Sequence, residues 1–395
     1  MHDIYFILFV FFISLIVASV AHQPVLHFAQ KHHIYDNPEA RKLQRDPVPV
    51  MGGLVVFLGT IAGSLCYWFK YDCSSIIPVQ IAMLLMLVIG GWDDIKKLSP
   101  FLRFVLEIVI VIGLVLVNGY PVNNLHGLWG VYEISPWIAW PLTIFACVGI
   151  INAINMIDGI DGLSSGICIM AFGIYGLFLF YSQDYARTAL AIAIVGGIIP
   201  FFIMNVFGKR SKMFIGDSGT MMLGIALCDI VLALLASDSW YFNRMESDGF
   251  CRIAFVFSVL AIPVVDTVRV MLGRIFRGES PFQPDKTHLH HAFINYGFHH
   301  LETSLMEILL NIMIVGAWWF MFKSHWPEQW QLYISIIATV TVCFGLYWML
   351  GRRKRFAQKV SEQYGISLEE FENMTDEERK QLKESSTLHK DDNTQ

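Results

Sequence analysis

The feature that most constrains the fold is a succession of nearly uncharged stretches, each about 20 residues long, separated by short polar loops. A run of that length crosses a bilayer as a helix, because without water every backbone N–H and C=O must be satisfied within the segment. Such runs lie near 4–21, 52–69, 76–92, 101–118, 136–154, 165–182, 187–206, 219–237, 251–272, 303–323 and 330–350. The expected fold class is therefore all-α, a polytopic membrane helix bundle of about 11 transmembrane helices. Composition agrees, with 55% hydrophobic and 15% charged residues against about 25% charged in soluble domains. The net charge of −5 arises largely in the acidic stretch after Ser361, and no basic domain suggests a nucleic-acid partner.

Alternate loops are basic. Lys31, Arg41, Lys42 and Arg45 follow the first run, Lys96, Lys97 and Arg103 the third, Lys209, Arg210 and Lys212 the seventh, Arg274, Arg277 and Lys286 the ninth, and Arg352, Arg353, Lys354 and Arg355 the last. The intervening loops hold only Lys70, Arg187, Arg244, Arg252 and Lys323. By the positive-inside rule the first set is cytoplasmic, which puts the N-terminus in the periplasm and the C-terminus in the cytoplasm. The start of the chain lacks the basic region of a signal peptide, so 4–21 reads as an uncleaved span. Residues 119–135, with Pro121, Asn123, Asn124, Gly127 and Gly130, read as an external loop. Residues 1–350 form one membrane domain and 351–395 a hydrophilic cytoplasmic tail, with helix starts at Ser367 and Thr375. The seven cysteines show no CxxC or paired spacing, so neither a disulfide framework nor a zinc cluster is implied.

The chemistry gathers on the cytoplasmic side. Asp93 and Asp94 end the third run in GGWDDIKKL; Asp158 and Asp161 lie in NAINMIDGIDGLSSG, Asp217 in KMFIGDSGT, and His288, His290 and His291 in PDKTHLHHAF. Carboxylates at membrane depth are costly and usually functional. Two readings stay open for each group. Asp93 and Asp94 either stop a helix and pair with Lys96 or Lys97, or supply a general base or cation-organising site. Asp158 and Asp161 either make a Gly-Asp turn or, if helical, present two carboxylates on one side to a nucleobase or sugar. Asp217 either caps the following helix or coordinates Mg2+, which prefers one or two carboxylates with retained waters and a diphosphate. The histidines beside Lys286, Arg274 and Arg277 form either a solvated basic loop or a clamp on phosphoryl oxygens. His32, His33, His299 and His300 lack such company and read as surface residues. There is no P-loop or Rossmann fingerprint to support ATP-driven pumping or nicotinamide chemistry. Acidic pairs, a candidate Mg2+ ligand and a basic histidine loop on one face of a bundle imply phosphoryl transfer involving a lipid phosphate.

NAINMIDGIDGL, FIGDSG and SPFQPDKTHLHH, with DD after the third run and PVPVMGG opening the second, resemble the polyprenyl-phosphate N-acetylhexosamine-1-phosphate transferase family. The resemblance covers roughly residues 1–350. The segment from Pro263 through Asp266, Arg274 and Ser280 to His291 is most similar to the bacterial undecaprenyl-phosphate GlcNAc-1-phosphate transferases that initiate cell-surface polysaccharides. The resemblance implies that UDP-GlcNAc and undecaprenyl phosphate give GlcNAc-diphosphoundecaprenol and UMP at the bacterial inner membrane. It also implies Mg2+, with Mn2+ as a substitute, and a homodimer. Carried over by position, Asp217 is the metal ligand, and Asp93 and Asp94 bind or deprotonate the lipid phosphate. Asn155, Asp158 and Asp161 line the uridine pocket. Arg274, His288, His290 and His291 hold the diphosphate and sugar. Lys42 and Arg45 are offset candidates for nucleotide binding. The catalytic set is Asp93, Asp94, Asp158, Asp161, His288 and His290. Thr220 stands where the family often has serine, and the tail lies outside the shared pattern.

The expected mechanism is direct in-line displacement by the lipid phosphate, since no Ser or Cys stands beside an obvious base; an aspartate nucleophile is the open alternative. UDP-GalNAc and UDP-MurNAc-pentapeptide are alternative donors. The competing class is a cation- or proton-coupled transporter, which calls for carboxylates near the bilayer midplane and two related halves.

Overall fold

The structure, a computed structural model, describes residues 2–36, 47–69, 71–281 and 286–364, together with 370, 374 and 378. The apolar runs become helices in the expected order: α1 (His2–Lys31), α2 (Gly52–Trp68), α3 (Ile77–Lys96), α4 (Pro100–Asn118), α5 (Pro136–Met156), α6 (Leu163–Tyr181), α7 (Tyr185–Phe207) and α8 (Gly216–Ala236). There follow α9 (Trp240–Ser247), α10 (Arg252–Val259), α11 (Ala261–Phe276), α12 (Leu289–Tyr296), α13 (His300–Lys323) and α14 (Glu328–Tyr364). Among the described residues, nine helices are long and apolar enough to cross a membrane: α1, α3 to α8, α13 and α14. The other two expected spans are α2 and the run 251–272. α2 is apolar, starts at Gly52 as expected and is 17 residues long, and before it Pro47 and Pro49 hold the chain extended. There β1 (Tyr35–Asp36) and β2 (Val48–Pro49) form a small antiparallel pair that the all-α expectation omits.

The run 251–272 is broken. α10 and α11 meet at a 75° bend around Leu260, and the sequence accounts for it. Pro263 has no N–H to offer the carbonyl four residues back, and its ring disfavours a helical residue before it. That carbonyl, on Val259, instead accepts from Asn311 Nδ2 at 2.9 Å, as does Ser258 O at 3.2 Å. Ile262 N–H donates to Asn311 Oδ1 at 2.9 Å. One buried amide on α13 thus satisfies the backbone groups that the break exposes, which is how irregular backbone survives inside a bundle.

α8 is the most enclosed span, with nearly all of its length buried. It packs chiefly on α3, with α5 and α2 beside it, and carries small residues such as Gly219, Gly224 and Ala226 that let neighbouring backbones approach. Residues 119–135 form a loop between α4 and α5, closed by an Asn124–Glu133 bridge. α14 continues without a break past Leu350 to Tyr364, beyond the expected start of the tail. Ser367, Thr375, Lys42, Arg45 and Lys70 lie outside the described residues.

Ser99 accepts the Leu102 N–H at 3.2 Å and Pro100 opens α4, so α3 turns tightly into α4. The end of α3, the α5–α6 turn, the start of α8 and the elements α11 to α13 all meet at one end of the bundle.

Candidate active site

A cavity of about 470 Å3 opens at that end of the bundle. Its acidic wall begins with two neighbours that point to different partners. Asp93, nearly buried, accepts from Leu98 N–H at 2.6 Å and faces Arg103 Nη1 at 3.3 Å. Asp94 caps α8: its carboxylate accepts from the backbone N–H groups of Asp217 at 2.9 Å and Ser218 at 3.2 Å, where the helix dipole favours negative charge. Asp217 therefore sits in the first turn of a helix that another residue caps, which corrects the view of Asp217 as its own helix cap. The approach needs Gly216, whose φ is +74°; a β-carbon there would lie 2.5 Å from Asp94 Oδ2. Asp217 Oδ1 accepts from Asn155 Nδ2 at 2.6 Å, and the same amide donates to Thr220 Oγ1 at 2.8 Å. Behind them, Glu107 on α4 is buried, accepts from Asn152 Nδ2 at 2.6 Å and lies 3.6 Å from Arg103 Nε. Arg103 is thus a cation shared by two carboxylates.

Asp158 and Asp161 lie in a turn between α5 and α6 rather than on one helical side. Asp158 accepts from Ser164 Oγ. Burial pushes its carboxyl up to about 7; the Ser164 hydroxyl opposes this, while Asp217, Asp161 and Asp36 add to it. Asp161 behaves in the opposite way. Burial works to raise it, but Lys212 Nζ at 2.6 Å and His300 Nδ1 at 3.0 Å hold it below the usual carboxylate range. Its carbonyl also accepts from Ser304 Oγ at 2.8 Å, so this turn is tied to both the α7–α8 loop and α13.

The third wall is basic. Asp266 on α11 is buried and accepts from His288 Nδ1 at 2.8 Å and Leu289 N–H at 3.2 Å through one oxygen. Its other oxygen accepts from Arg269 Nε at 3.1 Å and Nη2 at 2.7 Å. Arg274, also buried, donates to Pro281 O at 2.6 Å. His288 and His290 stack with ring centroids 5.5 Å apart, and His291 lies 4.4 Å from His290. A β-carbon on Gly159 would fall 2.3 Å from His290 Nε2, so glycine is what lets the α5–α6 turn close on this histidine. Burial, together with His291 and His288, holds the His290 pKa well below the usual histidine range.

Asp93, Asp94, Asn155, Asp158, Asp161, Asp217, Arg274, His288, His290 and His291 all line this one cavity. Asp36, Lys97, Arg103 and His300 line it too. His300 is no surface bystander as the sequence suggested: it is half-buried on the Asp161 carboxylate, whereas His32, His33 and His299 are exposed. Arg103 and Lys212 read only as topogenic charge in the sequence, and Asp266 only as part of a resemblance. The spacing of Asp266 and Arg269, three apart on a helix, was a usable signal; His300 had none, because its partner lies 139 positions away.

Among the described residues no three carboxylate, histidine or cysteine side chains are arranged to hold a metal by themselves. The donor chemistry still fits Mg2+, which takes one or two carboxylates and fills its other positions with water and phosphate oxygens. Asp217 meets that need, with Asp93 close enough to interact.

Residues 76–235 match the family described as glycosyl transferase family 4, a segment that holds the whole acidic wall and the Asp158–Asp161 turn. The chain is 28% identical over 369 residues to the undecaprenyl-phosphate alpha-N-acetylglucosaminyl 1-phosphate transferase of Yersinia pestis, covering 90% of this chain and 95% of that protein. It is 24% identical over 357 residues to the protein of the same name from Salmonella typhimurium, covering 88% and 92%. A probable undecaprenyl-phosphate N-acetylglucosaminyl 1-phosphate transferase of Bacillus subtilis is 25% identical over 330 residues, covering 83% and 88%. The resemblance drawn from the short motifs therefore extends over most of the chain: it is similar to named undecaprenyl-phosphate N-acetylglucosaminyl 1-phosphate transferases, and the segment that holds its acidic wall carries the glycosyl transferase family 4 match.

Proposed function

We propose that the chain is a membrane phospho-sugar transferase that moves GlcNAc-1-phosphate from UDP-GlcNAc to undecaprenyl phosphate, giving GlcNAc-diphosphoundecaprenol and UMP. The observation that carries this reading is the convergence of an acidic wall, an Asp-Gly turn and a histidine–arginine wall on one cavity at the ends of apolar helices. A diphosphate with a sugar needs cationic and hydrogen-bonding donors on one side. A lipid phosphate must arrive from the bilayer on the other. Mg2+, held by Asp217 with Asp93 beside it, would supply charge neutralisation for the diphosphate. Arg274 and His288 face the phosphoryl oxygens; Asn155 keeps Asp217 in place; Arg103 keeps Asp93 in place. The lipid phosphate oxygen attacks the sugar-linked phosphorus in line, and UMP leaves.

In this reading the eleven apolar segments, α2 and the bent α10–α11 pair included, all cross the inner membrane, with the N-terminus periplasmic, the site and tail cytoplasmic, and two copies pairing as a dimer. A transporter reading has no support: the cavity's carboxylates gather at helix ends, and Asp229, beside the far ends of α4 and α7, is paired with Arg187 at 2.9 Å.

The test is UMP release by detergent-purified protein given UDP-GlcNAc, undecaprenyl phosphate and Mg2+. UMP should require the lipid and the metal, and Asp217→Ala should lower the rate by at least about a hundredfold. Release with UDP-GalNAc or UDP-MurNAc-pentapeptide alone would correct the donor. Folded protein that releases UMP from none of the three would overturn the reading.

A further inference from the structure

We propose that Asp266 is a positioning residue that selects His288, rather than His290, as the histidine presenting a defined ring nitrogen to the phosphoryl groups; this rests on the transferase reading above. A carboxylate can only accept, so the 2.8 Å contact makes His288 Nδ1 the protonated, donating nitrogen. Nε2 is then the polar atom of that ring left for the cavity, which His288 lines. Asp266 cannot easily turn away. Its oxygens are also held by Leu289 N–H at 3.2 Å and by Arg269 Nη2 at 2.7 Å. Arg269 in turn donates to Thr287 O at 2.6 Å and lies 4.1 Å from the Tyr347 ring centroid. The acid, the backbone on either side of His288 and a ring from α14 therefore fix one imidazole.

His290 has none of this. Its Nδ1 is buried without a hydrogen-bond partner among the described residues, and its other nitrogen abuts Gly159. Burial and the neighbouring rings keep it neutral. A carboxylate behind an imidazole both sets the tautomer and stabilises the imidazolium when Nε2 meets negative charge. His288 has that support and His290 lacks it, although sequence pattern treats the two alike.

The test is Asp266→Asn, which preserves shape but brings an amide donor to Nδ1 and favours the opposite tautomer. With nitrogen-15-labelled histidine, the His288 signal, assigned by its loss in His288→Gln, should report an Nδ1-protonated ring in the intact protein and an Nε2-protonated ring in Asp266→Asn. The kcat for UMP release should fall at least about a hundredfold while KM for UDP-GlcNAc changes by less than about threefold. Asp266→Glu should recover part of kcat, and His290→Gln should cost far less than His288→Gln. An Nε2-protonated His288 in the intact protein, unchanged kcat in folded Asp266→Asn, or His290→Gln as damaging as His288→Gln would each overturn the proposal. Failure of the transferase reading looks different: the intact protein would release no UMP whatever the tautomer of His288.

Discussion

Asp158 and Asp161 show how far apart two residues of one motif can be driven by their surroundings. Both are carboxylates in NAINMIDGIDGL, yet burial raises Asp158 to about 7 while Lys212 and His300 hold Asp161 down. The Asp158 shift makes a stability prediction. In the unfolded chain its carboxyl titrates near 3.8, in the folded one near 7, so the native state holds this proton more tightly. The resulting stabilisation is complete below about pH 3.8, declines as pH rises, and is gone once pH has passed about 7. Asp158→Asn keeps an acceptor for Ser164 and cannot ionise. The stability of the intact protein relative to this variant should therefore fall by as much as about 4 kcal/mol across that window and then level off; a difference flat in pH would refute the assignment. The motif itself was legible, because glycines and carboxylates stand out in apolar sequence. What separates the two aspartates was not, since Lys212 and His300 come from distant loops.

Helices were legible in the same proportion. Long apolar runs have one solution in lipid, and α3 to α8 and α13 follow them closely, whereas α1 runs on to Lys31 and α14 to Tyr364, well past the ends of their apolar runs. The α10–α11 break was not read, because hydropathy reports that a segment is apolar and says nothing of its straightness. Pro263 and the lone amide of Asn311, deep in its own apolar run, were the available signals, and they act together only in three dimensions. Replacing Asn311 with alanine leaves Ile262 N–H and the Val259 and Ser258 carbonyls without this partner. Each buried polar group left unpaired costs about 1–3 kcal/mol, so Asn311→Ala should lower thermal stability in detergent by at least that much. It should also slow UMP release, because α11 carries Arg274 into the cavity and holds Asp266 behind His288. Full stability in Asn311→Ala would mean that the break is held by packing alone.

At the scale of the molecule, the charge of the cavity decides what can enter it. Its lining includes six carboxylates (Asp36, Asp93, Asp94, Asp158, Asp161 and Asp217) and three permanent cations (Lys97, Arg103 and Arg274). Arg103 is already engaged by Asp93 and Glu107, and Lys212 and His300 by Asp161. A nucleoside diphosphate would bring further negative charge into a site with carboxylates in excess, which repel it most strongly where water is excluded. A divalent cation reverses that balance, and Asp217, half-buried in the cavity wall beside Asp93, is where it would sit. Donor binding, and not only turnover, should therefore depend on metal. Calorimetric or fluorescence titration with UDP-GlcNAc, without lipid so that no reaction occurs, should give an affinity in Mg2+ at least about tenfold above that in EDTA, which corresponds to about 1.4 kcal/mol of coupling. Asp217→Asn should bind weakly in both conditions and lose that ratio. Donor affinity unchanged by EDTA would mean that Arg274 and the histidine wall neutralise the diphosphate alone, and that any metal acts after the donor is bound.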